Sequence, residues 1–132
     1  MICEERPTSK ASHLERGKMN TFIERDILYE NPLSQAAYIA DWVMEGEGAV
    51  SFPKGKMRQE NLRPREAGQA GNIVHWCPVT FPDNISISWD FQPITEPGLA
   101  IVFFSALGFN GEDILTADLA KRNGPYDQYH HG

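Results

Sequence analysis

Four titratable side chains near the C-terminal end form the densest group that could move protons. Tyr126, Tyr129, His130 and His131 occur within six residues, directly after an Asn-Gly-Pro turn. Histidine titrates near neutral pH and tyrosine can hold or release a phenolic proton, so both types suit general acid–base chemistry. The alternative is a terminal loop whose histidines have no role, and we prefer that interpretation for His131.

Four aromatic residues are candidates for a saccharide-binding surface, because the apolar face of a pyranose ring packs well on flat rings. Trp89 alternates with two isoleucines on one strand face, which predicts a place in the core. For Trp76, core packing and ligand contact both remain open. Tyr126 and Tyr129 lie in a loop rich in glycine and proline, where packing explains aromatic residues less easily, so a site role is favoured.

Three carboxylates are further candidates for binding a substrate. Glu112 and Asp113 are adjacent, so they cannot share one face of a strand. In a loop, one of them can bind a hydroxyl group or a metal while the other caps the following turn; capping alone is the alternative. Asp90 lies on the face opposite Trp89 and points either into a groove or into solvent. No metal is predicted, because calcium takes ~6–8 oxygen ligands and this acidic pair is isolated.

Glycoside hydrolysis usually requires two carboxyl groups, either ~5–5.5 Å apart for retention or ~6.5–9.5 Å apart for inversion. Glu45 and Glu47 can project from one strand face near the inverting spacing. Glycines on both sides of Glu47 favour solvated surface charges instead. The Glu-x-Asp-x-x-Glu pattern of retaining glucanases is absent from the sequence, which disfavours that chemistry.

The composition fits one soluble domain and excludes two classes of partner. The chain has 132 residues, and 41% of them are hydrophobic. Its net charge of −6 opposes binding to a phosphate backbone, so no nucleic-acid partner is predicted. No apolar run approaches the ~18 residues that span a bilayer, so no membrane partner is predicted either.

The cysteines and glycines give no sign of a cofactor. Cys3 and Cys77 fall short of a disulfide framework and of a structural zinc site, and no glycine-rich loop suits a phosphate. We therefore predict no cofactor and no metal. The first residues lack the apolar segment of a secretory signal, so a cytoplasmic location is the expectation.

Residues 1–18 carry seven charged side chains and few apolar ones, which predicts a disordered tail.

From Thr21 onward, short apolar runs are separated by Gly, Pro, Asn and Asp, a pattern typical of an all-β domain. The alternation over residues 85–92 predicts a strand with one face in the core. The doubly apolar run at 99–106 predicts a central strand covered on both sides. A β-sandwich is the natural arrangement, because a single sheet would leave its apolar face in water.

A series of motifs from Tyr29 to the C-terminus resembles the YesU-like bacterial proteins, an uncharacterised family with a lectin/glucanase-type (concanavalin-like) jelly roll. The motifs that carry the resemblance are Tyr29-Glu30-Asn31-Pro32-Leu33, Asp41-Trp42-Val43-Met44-Glu45-Gly46, His75-Trp76-Cys77-Pro78, Phe81-Pro82-Asp83, Ser88-Trp89-Asp90-Phe91, Pro97-Gly98-Leu99, Phe103-Phe104-Ser105-Ala106, Gly111-Glu112-Asp113, Lys121-Arg122-Asn123-Gly124 and Tyr126-Asp127-Gln128-Tyr129-His130. Because so many motifs follow one another in order, they are far more specific together than any one of them alone.

The resemblance implies a jelly-roll β-sandwich whose concave face meets carbohydrate, in proteins associated with the use of plant polysaccharides. Family members continue past the Tyr-x-x-Tyr-His segment into further strands. We therefore expect residues 19–132 to form a partial jelly roll, incomplete at its C-terminal side. The expected partner is an oligosaccharide.

If the protein is an enzyme, lyase-like chemistry is slightly preferred over hydrolysis. A β-elimination on a uronic acid needs a base, an acid and a cation against the carboxylate. His130 and Tyr129 suit the first two roles, and Arg122 suits the third through bidentate pairing. Substrate contacts would come from Trp76, Asp90, Glu112, Asp113 and Tyr126. The alternatives are a non-catalytic carbohydrate-binding module and a truncated, inactive fragment.

Overall fold

The part of the chain that the structure describes consists of strands and short helical turns, consistent with the predicted all-β class. The computed structural model describes residues 1–5, 26–95, 100–116 and 119–130. Within these residues there are seven short strands: β1 (Ile2–Glu5), β2 (Ile27–Glu30), β3 (Val43–Glu45), β4 (Gly48–Ser51), β5 (Arg58–Asn61), β6 (Val74–Trp76) and β7 (Ile85–Ser88). The helical segments of the described part are short 3-10 turns at Ala36–Ile39, Pro53–Gly55, Arg65–Gly71 and Tyr126–Tyr129. None of them is long and apolar enough to cross a membrane.

The chain divides into two compact units, of which the first comprises Met1–Pro32 and Val79–Ile94. Its three-stranded antiparallel sheet has the order β2-β1-β7. Cys3 is opposite Tyr29 on one side and Ile87 on the other, and only 1% of it is exposed. The Met1 amino group donates to the Asn31 carbonyl oxygen at 2.8 Å, which fixes the start of β1.

The position of residues 2–5 departs from the expectation of a disordered tail over 1–18. They form β1, the middle strand of the sheet, whereas residues 6–25 lie outside the described residues. The charge-rich composition of the segment hides this strand, because the buried Cys3 is small and is followed directly by Glu4, Glu5 and Arg6.

The second unit comprises Leu33–Pro78 and Thr95–Gly132. It contains two antiparallel strand pairs, β3–β6 and β4–β5. On one face of the β3–β6 pair, His75 meets the edge of Trp42 with ring centroids 5.5 Å apart. The buried Nδ1 of His75 has no hydrogen-bond partner among the described residues, and burial lowers the pKa of this imidazole. The opposite face of the pair carries the candidate site.

Two glycines bring the segment after residue 121 against the β3–β6 pair. Gly46 and Gly124 both have positive φ angles, +91° and +99°, and each faces the backbone carbonyl of Asn72. A Cβ atom at either glycine would overlap the Asn72 carbonyl oxygen, so only glycine permits this approach.

One element predicted from the apolar pattern is absent from the described residues, and another is shorter than predicted. Residues 100–106 form no strand, and Phe104 is 75% exposed, so the prediction of a doubly covered central strand is wrong for them. β7 ends at Ser88, and Trp89 beyond it is 46% exposed rather than part of the core. Among the described residues, only Cys3 and Trp76 are buried hydrophobic side chains, so the strand pairs leave much apolar surface uncovered. The sheets are small and open.

Replacing Gly124 with alanine is expected to lower the free energy of unfolding, because the new Cβ combines an unfavourable φ with a backbone overlap. The unfavourable φ alone costs about 1–2 kcal/mol. Gly111→Ala is the matched control: Gly111 also has a positive φ, +85°, but open space surrounds its Cβ position. Chemical denaturation should show a clearly larger decrease in the free energy of unfolding for Gly124→Ala than for Gly111→Ala. Equal decreases would contradict the close approach of Gly124 to the Asn72 carbonyl group.

Candidate functional site

The candidate site begins with a strand register that places a carboxylate beside an indole. In the β3–β6 pair, Val43 is opposite Trp76 and Glu45 is opposite Val74. Glu45 and Trp76 are therefore diagonal neighbours on one face of the pair. The indole Nε1–H donates to Glu45 Oε2 at 2.9 Å. Trp76 is one of the few buried residues in the structure.

Arg122 completes a nearly buried ion pair with Glu45. Its Nε lies 3.1 and 3.2 Å from the two carboxylate oxygens, and its Nη2 lies 2.9 Å from Oε1. Nη2 also donates to the Ile114 carbonyl oxygen at 2.6 Å. Only 8% of the Arg122 side chain and 13% of the Glu45 side chain are exposed. Two charges this poorly hydrated are tolerated because each satisfies the other with well-aligned hydrogen bonds.

Three aromatic rings pack beside the ion pair, and we call Trp76, Phe103 and Tyr129 the aromatic wall. Phe103 stacks on Tyr129 at 5.7 Å and lies 5.5 Å from Trp76, measured between ring centroids. Arg122 Cζ is 5.7 Å from the centre of the Trp76 ring and 5.8 Å from that of Tyr129. A guanidinium at these distances is attracted to the faces of both rings, so the ion pair and the wall hold each other in place.

Tyr129 is also held through its hydroxyl group. The hydroxyl accepts from the Gly124 backbone N–H at 3.3 Å. Burial, followed by the influence of the Glu45 carboxylate, raises the pKa of Tyr129 to about 12. The phenol therefore keeps its proton at neutral pH, as a proton donor must.

A cavity of about 320 Å³ opens against the aromatic wall. Arg122, Gln128, His130 and Ser105 add polar groups to its lining. Gln128 Oε1 accepts from the Asn123 backbone N–H at 2.6 Å, which orients the side-chain amide. The cavity thus combines flat apolar rings with hydrogen-bonding groups.

The structure brings four of the sequence-predicted residues together in this cavity: Trp76, Arg122, Tyr129 and His130. Tyr126 lies beside them, with its ring edge-on to His130 at 4.3 Å between centroids. Both rings are exposed. Placement of these residues depends on the 3-10 turn Tyr126–Tyr129, whose first amide donates to Gln69 Oε1 at 3.2 Å.

The side chains of Glu112 and Asp113 are bonded within their own loop, although Leu107, Phe109 and Ile114 of the same segment line the cavity. Both oxygens of Glu112 accept hydrogen bonds from Asn110, and these bonds lower the pKa of the Glu112 carboxyl. Asp113 Oδ1 accepts from the Leu115 backbone N–H at 2.8 Å, which is a capping arrangement. Neither side chain lines the cavity. No group of three or more potential metal ligands occurs among the residues that the structure describes.

Asp90 belongs to the first unit, where it follows β7 as an exposed residue. It is not among the residues that line the cavity. The His131 side chain lies outside the described residues.

Sequence reasoning did not select Glu45 or Phe103 as site residues. Glu45 was weighed only together with Glu47 as a hydrolytic pair; in the structure Glu47 is exposed and bound by Arg63 instead. Glu45 ends the short apolar segment 42–45, and a carboxylate in such a segment indicates a need for a buried partner. Its spacing does not indicate that this partner is Arg122, which lies 77 residues away. Phe103 was assigned to the predicted central strand, so its contact with Tyr129 could not be anticipated.

The high pKa of Tyr129 predicts a specific alkaline response. Because the folded state holds the phenolic proton more tightly, the resulting stabilisation is present below pH 10 and is lost as pH rises from about 10 to about 12. Ultraviolet titration of tyrosinate should show a transition near pH 12 that Tyr129→Phe removes and Tyr126→Phe retains. If Tyr129→Phe removes a transition near pH 10 instead, the described environment is wrong.

Comparisons with known proteins agree with the resemblance seen in the sequence. The model of a domain of unknown function (DUF1961) matches residues 26–132. The uncharacterized protein YesU of Bacillus subtilis (strain 168) is 43% identical over 105 residues, which are 80% of this chain and 46% of that protein. The chain therefore spans less than half the length of this curated relative. No solved structure matches the chain significantly. With most of its length matched by the family model, this chain belongs to the YesU-like DUF1961 family.

Proposed function

We propose that this chain binds a plant-type oligosaccharide in the cavity against the aromatic wall. The observation that carries the proposal is the combination of a 320 Å³ cavity, three packed aromatic rings and polar lining groups. The apolar face of a sugar ring can pack on Phe103 and Tyr129, while its hydroxyl groups hydrogen-bond to Gln128 and His130. A cavity of this volume lies at the lower end of the range for small-ligand sites, about 300–1,000 Å³.

Two further parts of the proposal rest on the family resemblance. We propose that the strands belong to a jelly-roll sandwich of the lectin/glucanase type, with the cavity on its concave side. We also propose that the protein works in the cytoplasm on saccharides derived from plant polysaccharides. All-β secondary structure is compatible with the first of these statements.

Acid–base catalysis in the same cavity is the second candidate function. It is favoured by one observation: Tyr129 retains its proton while the next residue, His130, is exposed at the cavity. In a β-elimination, His130 would remove the proton from C5 of the sugar and Tyr129 would donate to the leaving oxygen. Hydrolysis is less well supported, because Glu45 is occupied by Arg122 and Trp76.

Binding is tested by titrating the chain with plant-derived oligosaccharides, using tryptophan fluorescence and calorimetry. We expect saturable binding that Phe103→Ala weakens about two- to tenfold, because ring stacking contributes roughly 0.5–1.5 kcal/mol. Phe91→Ala is the matched control, since Phe91 is an exposed phenylalanine of the first unit that does not line the cavity. Absence of saturable binding, or equal weakening by the two substitutions, would contradict the proposal.

The same mixtures distinguish binding from catalysis. Formation of an unsaturated or shortened sugar by the wild type, and its loss in His130→Ala, would assign catalysis to this cavity. Unchanged saccharides, or identical products from the wild type and the variant, would leave binding as the function of these residues.

A further inference from the structure

The charge of the cavity depends on one ion pair. Among the described residues, Arg122 is the one lysine or arginine that lines the cavity, and Glu45, which is not a lining residue, neutralises it. The ligand therefore meets a guanidinium whose charge is already compensated.

The Glu45 carboxylate is held by two donor side chains. Arg122 contacts both of its oxygens, and the Trp76 indole donates to Oε2. To move away, the carboxylate would have to give up all of these bonds in a place where little water can replace them. Glu45 is thus a fixed negative charge.

Arg122 can still bind a ligand through part of its guanidinium. Nε and Nη2 make the bonds to Glu45 and to the Ile114 carbonyl oxygen, and Nη1 takes part in none of these bonds. A neutral sugar hydroxyl can accept from Nη1 without disturbing the pair. A uronic acid carboxylate has to share the cation with Glu45 and approach a like charge, which is unfavourable at low dielectric.

We infer that Glu45 is a specificity-determining residue that makes the cavity select neutral oligosaccharides over uronic-acid ones. This inference rests on the proposed binding function and narrows its ligand class. It also limits the lyase interpretation, because Arg122 can neutralise a uronate carboxylate only after releasing Glu45.

The test compares neutral oligosaccharides with oligogalacturonates of equal length, measured by calorimetry on the whole chain. The wild type is expected to bind the neutral series at least about tenfold more tightly. In Glu45→Gln, the ratio of the oligogalacturonate affinity to the neutral affinity should rise about tenfold or more.

Glu47→Gln is the matched control. It removes the same charge two residues further along the chain, where the carboxylate pairs with Arg63 at an exposed position. This substitution should leave the ratio of the two affinities unchanged. An equal shift in both variants would mean that net charge, and not the ion pair at the cavity, sets the preference, and would overturn the inference.

If Glu45→Gln fails to fold, the double variant Glu45→Gln/Arg122→Gln replaces the ion pair with two neutral amides. Both charges are then absent, so the neutral and acidic series should bind with affinities within about threefold of each other. A wild-type preference that persists in the double variant would overturn the inference.

The failures of the two proposals are distinguishable. If neither series binds the wild type or the variants, the binding function itself is wrong and the inference falls with it. If both series bind the wild type equally, or if Glu45→Gln folds and leaves their ratio unchanged, only the inference about Glu45 is wrong.

Discussion

The candidate site depends on the contact between Glu45 and Arg122, two residues 77 positions apart in the sequence. Either charge alone would destabilise the folded state at this degree of burial, because it would be buried without a partner. Each is tolerated because the other is present. The pair also fixes the indole of Trp76, which donates to the same carboxylate, and Arg122 Cζ lies 5.8 Å from the centre of the Tyr129 ring. One interaction therefore determines where the aromatic wall stands and what charge the cavity presents.

Backbone geometry makes this contact possible. Gly46 directly follows Glu45, and Gly124 lies two residues after Arg122; both face the Asn72 carbonyl group. Without side chains at these positions, the segment carrying Arg122 and Tyr129 can lie close enough to β3 and β6 for their side chains to meet. The site is thus positioned by close backbone packing in a unit that has few buried apolar side chains.

The sequence predicts local features of this protein better than long-range ones. Strand β7 was expected near its observed place, because apolar and polar residues alternate along it. The grouping of Trp76, Arg122, Tyr129 and His130 was expected from residue types and from the family resemblance. By contrast, Cys3 pairs with strands far along the chain, and the run around Phe104 stays outside any strand of the described residues. Apolar pattern alone gave no information about either arrangement, because it does not indicate which segments pair. The role of Glu45 was missed for the same reason, since its partner is distant.

A double-mutant cycle between Glu45→Gln and Arg122→Gln, with the free energy of unfolding measured by chemical denaturation, tests the central interaction most directly. If the two side chains form the pair described, their coupling energy should be at least about 1.5 kcal/mol, and the double variant should be more stable than the sum of the single effects predicts. Single effects that add to within about 0.5 kcal/mol would show that the two residues do not interact in this way.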